Sequence, residues 1–252
     1  MEENGFTLFK YSTRKSRNRR KQRNDTPKVS VETVVAYVED KIDTLKHSDF
    51  YVQLKEIIGT SQLPEFEDII CYGVGSFEQS RTSQFQLGLV LLLRELLQFK
   101  GKLHSYDPVL TEIDHRVLQH YDIELIKTNE QAKRSVSRPT LFYMPHCGKT
   151  LYNNLLASNW SRKAITNVYL IGNRLEMYHE NEPTLKLRRE APHIVEALDL
   201  IKCSPFPEEF DTNTIFNDIC IHQFLAEKVN AAKDSVFEVE VTSEPENDPE
   251  LI

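Results

Sequence analysis

Val31, Val34, Val35, Val38, Ile42 and Leu45 recur at the interval of one helix face, and Ser30 stands where it can cap the start. A second helix is predicted over Ser48–Ile58, with Leu54, Ile57 and Ile58 on one side and Gly59 as its stop. From Asp68 the pattern changes. Ile69–Tyr72 is a short apolar run that reads as a buried strand and leads directly into Gly73-Val74-Gly75-Ser76. Phe85, Leu89, Leu92, Leu93 and Leu96 then mark an amphipathic helix that closes near Gly101. Leu103–Tyr106 is the second predicted strand, and Asp107-Pro108 opens a helix through Ile113, Val117 and Leu118. Ile123–Ile126 and Thr140–Met144 follow as strands. Gly148–Trp160 is a helix, and Asn167–Ile171 is a fifth strand ended by Gly172. Beyond it the pattern weakens. Ala191–Leu198 reads as a helix, Leu198–Cys203 as a strand, and Phe216–Leu225 fits either.

Strands alternating with helices at this spacing imply a mainly parallel sheet covered on both faces. Right-handed crossovers then give an α/β, Rossmann-like doubly wound fold with an N-terminal helical extension. The expected organisation is a disordered basic head (1–28), an N-terminal helical layer (29–64), a Rossmann-like domain (65–230) and a disordered acidic tail (231–252).

Charge sharpens the two ends. Lys10, Arg14, Lys15, Arg17, Arg19, Arg20, Lys21 and Arg23 form a basic run, whereas no basic residue follows Lys233. The whole chain of 252 residues carries a net charge of -7, which argues against strong general nucleic-acid binding. The basic run reads either as a solvated tail or as a nuclear-import signal. No stretch is long and apolar enough for a membrane span, and the start lacks an apolar signal core. The four cysteines, Cys71, Cys147, Cys203 and Cys220, show no CxxC pair and no zinc-ligand spacing, so no metal site is expected and the thiols are read as reduced and intracellular.

Candidate chemistry sits where strands end. Gly73 and Gly75 allow a close backbone approach to a ligand at a helix N-terminus, or simply a tight turn. The third glycine of a dinucleotide fingerprint is replaced by Glu78, whose charge would repel a pyrophosphate. A nucleotide-sized ligand without phosphates, such as S-adenosylmethionine, tolerates that acid better. Asp107 can bind ribose hydroxyls, although it lies later than the usual ~20 residues after the glycines. Its alternative role is to cap the next helix, with Pro108 in the first position. His146 and Cys147 precede a helix at the carboxyl end of a strand, where they can line a ligand site or offer a reactive thiol and a haem ligand. Gly172 and Asn173 form another crevice-edge turn. Asn217, Asp218 and His222 form a polar set that lines the same crevice or satisfies buried backbone groups.

Ile70–Phe77, Tyr106–Val109, Phe142–Cys147, Leu151–Leu156, Asn159-Trp160, Gly172-Asn173 and Phe216–Asp218, taken in order, resemble the family named for sensitivity to red light reduced. The likeness covers about residues 66–225 and leaves out the basic head and acidic tail. It implies a regulator in circadian-clock input, with animal relatives associated with clock-gene expression and haem biosynthesis, and locations in cytoplasm and nucleus. It brings no defined reaction and no catalytic residue. This chain has no Cys-Pro dipeptide of the kind haem-responsive proteins often use; Cys203 is followed by Ser204. Three functions therefore enter the structural comparison: a regulator working through protein partners, an S-adenosylmethionine-dependent methyltransferase, and a haem-binding module.

Overall fold

The computed structural model describes residues 29–211 and 214–239. The basic head and the tail from residue 240 onward lie outside the described residues.

Two helices come first, α1 (Val31–Lys46) and α2 (Asp49–Thr60), and Ser30 and Ser48 cap them by accepting from Thr33 and Tyr51 N–H groups. The strands β1 (Asp68–Tyr72), β2 (Lys102–Tyr106), β3 (Glu124–Leu125), β4 (Thr140–Met144), β5 (Val168–Asn173), β6 (Ile201–Pro205) and β7 (Ile219–Phe224) form one sheet in the order β3-β2-β1-β4-β5-β7-β6. The first five are mutually parallel; β7 runs antiparallel to both β5 and β6. This is a doubly wound sheet finished by an antiparallel pair.

The period-two alternation of strand side chains assigns a separate core to each face. Ile69, Cys71, Leu141, Tyr143, Ile171, Ile219 and Ile221 face one cluster with Val34, Val38, Leu54, Leu89 and Val117. That face is covered by α1, α2, α3 (Arg81–Leu96) and α4 (Glu112–His120). Ile70, Tyr72, Phe142, Met144, Val168 and Leu170 face the other, with Leu155, Ile165, Leu187, Ile194 and Val229. The helices on that face are α5 (Lys149–Ser158), α6 (Arg162–Ile165), α7 (Glu176–Asn181), α8 (Thr184–Glu190), α9 (Pro192–Ala197) and α10 (Ala226–Ala231). The crossover changes faces between β1 and β4, so the ligand crevice of such a fold lies at the carboxyl ends of these two strands. No described helix is long and apolar enough to cross a membrane.

Several boundaries differ from the sequence reading. Gly59 does not stop α2, which continues to Thr60, and α3 ends before Gly101. Gly172 lies inside β5 and pairs with Met144 and Cys220. The ambiguous Phe216–Leu225 stretch resolves into a turn followed by β7. Phe216 belongs to an aromatic cluster: its ring stacks on Phe50 of α2 at 5.0 Å, and Phe210 lies 5.1 Å from Phe50. The first part of the expected acidic tail is built into the fold. Asp234–Phe237 forms a 3-10 turn, Trp160 Nε1 donates to the Val236 carbonyl at 2.8 Å, and the Arg162 guanidinium lies 4.7 Å over the Phe237 ring.

Candidate functional site

The glycine turn after β1 has the backbone that the sequence suggested. Gly73 and Gly75 both adopt positive φ, +72° and +71°. Their surroundings are filled by the chain itself. A Cβ on Gly73 would sit 2.5 Å from Cys147 Sγ, and one on Gly75 would sit 2.4 Å from Ser83 Oγ. The Gly75 N–H, a candidate ligand donor, instead donates to Asp107 Oδ2 at 2.7 Å.

Asp107 therefore does not cap the following helix. Its second oxygen accepts from Val109 N–H at 3.0 Å, a local turn made possible by Pro108. The cap of α4 is Thr111, in a reciprocal box with Asp114. Asp114, fully buried, also accepts from Glu78 N–H at 2.8 Å, and Glu78 accepts from the Thr111 hydroxyl at 2.8 Å. The acid expected to repel phosphate is thus part of a latch between the glycine turn and α4. The signal for this latch was present in Thr111-Glu112-Ile113-Asp114, a capping-box pattern.

The segment between β3 and β4 folds over the same edge. The Tyr72 hydroxyl donates to Glu130, which also pairs with Arg134 at 2.6 Å, and burial pushes the Tyr72 phenol well above its ordinary range. Asn154 holds the Gln131 carbonyl at 3.0 Å. Between Tyr72, Gly73, Tyr106, Ala132 and Leu151 there remains a cavity of about 40 Å³. Pockets that take small-molecule ligands commonly measure ~300–1,000 Å³.

On the β4 side, Asn173 at the end of β5 is the hub. Its Oδ1 accepts from His146 N–H at 2.8 Å, and its Nδ2 donates to the Cys147 carbonyl and to Tyr178 Oη, both at 3.0 Å. Its own N–H donates to Tyr152 Oη at 2.9 Å. His146 has positive φ (56°) and places Nε2 2.9 Å from the Ile215 carbonyl, across to the loop before β7. Cys147 is buried, with Sγ directed at the Tyr72 carbonyl 3.5 Å away. Gly172 makes room for Tyr152, whose ring would lie 2.8 Å from a Cβ there. The structure thus brings together Gly73, His146, Cys147, Gly172 and Asn173, with Gly75 and Asp107 at the next strand edge. Tyr152, quoted above only within the Leu151–Leu156 motif, and Tyr178, which lies outside every quoted motif, complete the hub and were not assigned to the site from the sequence.

The polar set Asn217, Asp218 and His222 divides. Asn217 and Asp218 form the turn before β7, where the Asp218 carbonyl accepts from Arg174 N–H at 2.7 Å. His222 is fully buried on β7; its Nε2 lies 3.0 Å from the Asn173 carbonyl, and burial holds its imidazole down at about 4. Beside it are Cys220 and Cys203, a grouping the sequence reading did not anticipate.

A family model for the SRR1 domain matches residues 12–223. The chain belongs to the SRR1 domain family. The match starts well before the motifs quoted above and takes in α1, α2 and part of the basic head, so the earlier boundary near residue 66 is corrected. The chain is similar to an SRR1-like protein of Drosophila melanogaster, 28% identical over 232 residues, covering 90% of this chain and 82% of the relative. An SRR1-like protein of Mus musculus is 40% identical over 134 residues, covering 52% of this chain and 54% of the relative. The Arabidopsis thaliana protein SENSITIVITY TO RED LIGHT REDUCED 1 is 33% identical over 141 residues, covering 55% of this chain and 50% of the relative. The match therefore spans about half the length of the mouse and Arabidopsis proteins. Among solved structures, the chain is similar to the 23S rRNA methyltransferase ErmE, with a TM-score of 0.40, 13% identity, and coverage of 74% of this chain and 72% of that one. It is also similar to the SAH-bound Podospora anserina methyltransferase PaMTH1, with a TM-score of 0.39, 14% identity, and coverage of 76% and 87%.

Proposed function

We propose that this SRR1 domain protein is a regulator that works through protein partners, on a scaffold whose nucleotide crevice has become part of the fold. Circadian-clock input and the regulation of haem biosynthesis are the processes assigned to it in this proposal, with sites of action in cytoplasm and nucleus. The Arabidopsis relative, named for reduced sensitivity to red light, supports a signalling role. The observation that carries the reading is the state of Asp107. Both of its carboxylate oxygens accept backbone N–H groups of the protein, beside a cavity of about 40 Å³.

A residue kept for binding ligand commonly costs stability, whereas a structural tie contributes to it. Asp107→Ala is therefore expected to lower unfolding free energy by about 1–3 kcal/mol in the absence of any ligand, from two lost bonds to a charged acceptor. Urea denaturation at neutral pH measures this. An unchanged or increased stability would instead assign Asp107 to ligand binding.

One observation favours a second reading, S-adenosylmethionine-dependent methyl transfer. Two positive-φ glycines stand at the carboxyl end of β1, with an acid at the end of β2. That reading requires the loop around Asn129, Gln131 and Ala132 to swing away and Asp107 to exchange its backbone partners for ribose hydroxyls. The haem reading has less support, because His146 Nε2 and Cys147 Sγ both face backbone carbonyls of the protein.

A further inference from the structure

Cys203, Cys220 and His222 meet because of the register of the β6–β7 pair. Cys203 is the direct cross-strand partner of His222, so their side chains share a face. Cys220 precedes His222 by two positions on the same strand and shares that face by alternation. It is the face covered by α5–α10, since Leu170 of that core is the β5 partner of His222. One ligand atom from each of the three residues lies within 4.8 Å of the others.

A second observation points into this cluster. His222 is fully buried, and its Nε2 faces the Asn173 carbonyl, which can only accept. The ring proton therefore belongs on Nε2, and Nδ1 carries a lone pair. That Nδ1 is buried with no hydrogen-bond partner among the described residues. A buried, unpartnered imidazole lone pair is costly unless something accepts it. The Glu176 Oε2 atom is likewise buried without a hydrogen-bond partner among the described residues, and its carboxylate acts electrostatically on both Cys220 and His222. The neighbouring cation, Arg174, is paired bidentately with Glu180 at 2.8 and 2.6 Å and also acts electrostatically on Glu176 and Cys220.

We propose that Cys203, Cys220 and His222 form a binding site for a thiophilic divalent cation, Zn(II), with Nδ1 of His222 as the nitrogen ligand. Two thiolates and an imidazole are a donor set that selects zinc over harder cations. Around a tetrahedral zinc, with bonds of about 2.0–2.3 Å, ligand atoms stand about 3.3–3.8 Å apart. The three side chains thus need to draw in by about an ångström, within the reach of side-chain rotation. Binding displaces one proton from each thiol to solvent and leaves two thiolates on the metal. Water or Glu176 takes the fourth position. Cys203 is only half-buried and provides the entry path. The Asn173 carbonyl behind His222 is the outer-shell acceptor that fixes the ring, the usual arrangement for a metal-bound histidine. Because Asn173 also holds His146 and Cys147, the ion would brace the β5–β7–β6 edge against the crevice hub.

The test uses the full chain, reduced and stripped of metal with a chelator, then titrated with Co(II) as a spectroscopic probe of the zinc site. One equivalent is expected to give the visible bands of tetrahedral cobalt together with a thiolate charge-transfer band, both abolished by added Zn(II). Cys203→Ser, at a half-exposed edge position that tolerates the change, is expected to weaken binding at least about tenfold, since even outer-shell changes cost about 10–100-fold. The site is overturned if the reduced, unsubstituted protein gives no charge-transfer band, or if Cys203→Ser binds Co(II) as tightly as the parent. It is equally overturned if Cys203 and Cys220 re-form a disulfide in air while the reduced protein takes up no Co(II), which would make the pair a redox couple instead. The unsubstituted protein alone is enough to refute the proposal, and the outcome is independent of whether the crevice binds a ligand.

Discussion

Asn173→Ala is expected to lower the unfolding free energy by about 2–4 kcal/mol and to loosen the loop after β4. The side chain makes three bonds, to His146 N–H, the Cys147 carbonyl and Tyr178 Oη. Each gives about 0.5–1.5 kcal/mol net, and the three together account for the loss. The contacts made by the Asn173 backbone with Tyr152 and His222 survive the change, so β5 itself should persist. The loss should be local as well as global. His146 sits in the left-handed region, which a non-glycine residue keeps only when its neighbours hold it there. With the Asn173 carbonyl oxygen of the side chain gone, amide exchange at His146 and Cys147 should accelerate more than exchange in β4. Asn173→Asp keeps one acceptor but turns the other oxygen toward the Cys147 carbonyl, so it should rescue little. Urea unfolding and hydrogen exchange together measure this, and a loss below about 1 kcal/mol would mean that Asn173 is not the hub.

Gly73→Ala combines two costs. The residue has φ of +72°, where an alanine is strained by about 1–3 kcal/mol. Its new Cβ would also stand 2.5 Å from Cys147 Sγ, and such overpacking costs about 1–3 kcal/mol. The single change should therefore lower stability by about 2–6 kcal/mol. The two parts can be separated. In a Cys147→Ala background the sulfur is absent and only the backbone strain remains, so Gly73→Ala should cost measurably less there. A double-mutant cycle reads the difference as a coupling of about 1 kcal/mol or more. A coupling of zero would mean that the thiol does not pack on the turn, and the case for a self-filled crevice would weaken.

Parts of this arrangement were legible from residue order, for reasons that differ by element. The strand Thr140–Met144 was read to the residue because five consecutive core positions lie between Pro139 and Pro145, and proline cannot continue a central strand. The helix α1 was equally plain, since its apolar face is periodic and Ser30 caps it. By contrast, α7 and α8 show little apolar periodicity; of their side chains only Leu187 is buried. The direction of β7 was beyond reach, because a fully buried run has the same pattern parallel or antiparallel.

The site followed the same division. Glycine turns, His146, Cys147 and Asn173 were visible because strand ends at the carboxyl edge of such a sheet point to one crevice. Of the two roles open to Asp107, capping fails because two local uses compete: Pro108 favours a turn that consumes the carboxylate, and Thr111-x-x-Asp114 supplies the better cap. The lining of the crevice by Asn129, Gln131 and Ala132 could not be seen, since it depends on the path of a loop with no apolar period. The Cys203, Cys220 and His222 cluster is hidden for a similar reason. Only Cys220-x-His222 lies on one strand, and Cys203 joins them through the β6–β7 register.

The most direct test of the regulator reading is thermal unfolding of the full chain against S-adenosylmethionine, S-adenosylhomocysteine, nicotinamide dinucleotides, ATP and haem, each at high excess. A ligand at a hundred times its dissociation constant adds about 2.7 kcal/mol. For a chain of this size that corresponds to a rise of roughly 5–10 °C in Tm. No such rise is expected with any of them, because the Asp107 carboxylate is already bound by backbone N–H groups and Asn129, Gln131 and Ala132 line the small cavity that remains. A rise with S-adenosylmethionine or its product that disappears in Asp107→Ala would contradict it and make the crevice a working cofactor site.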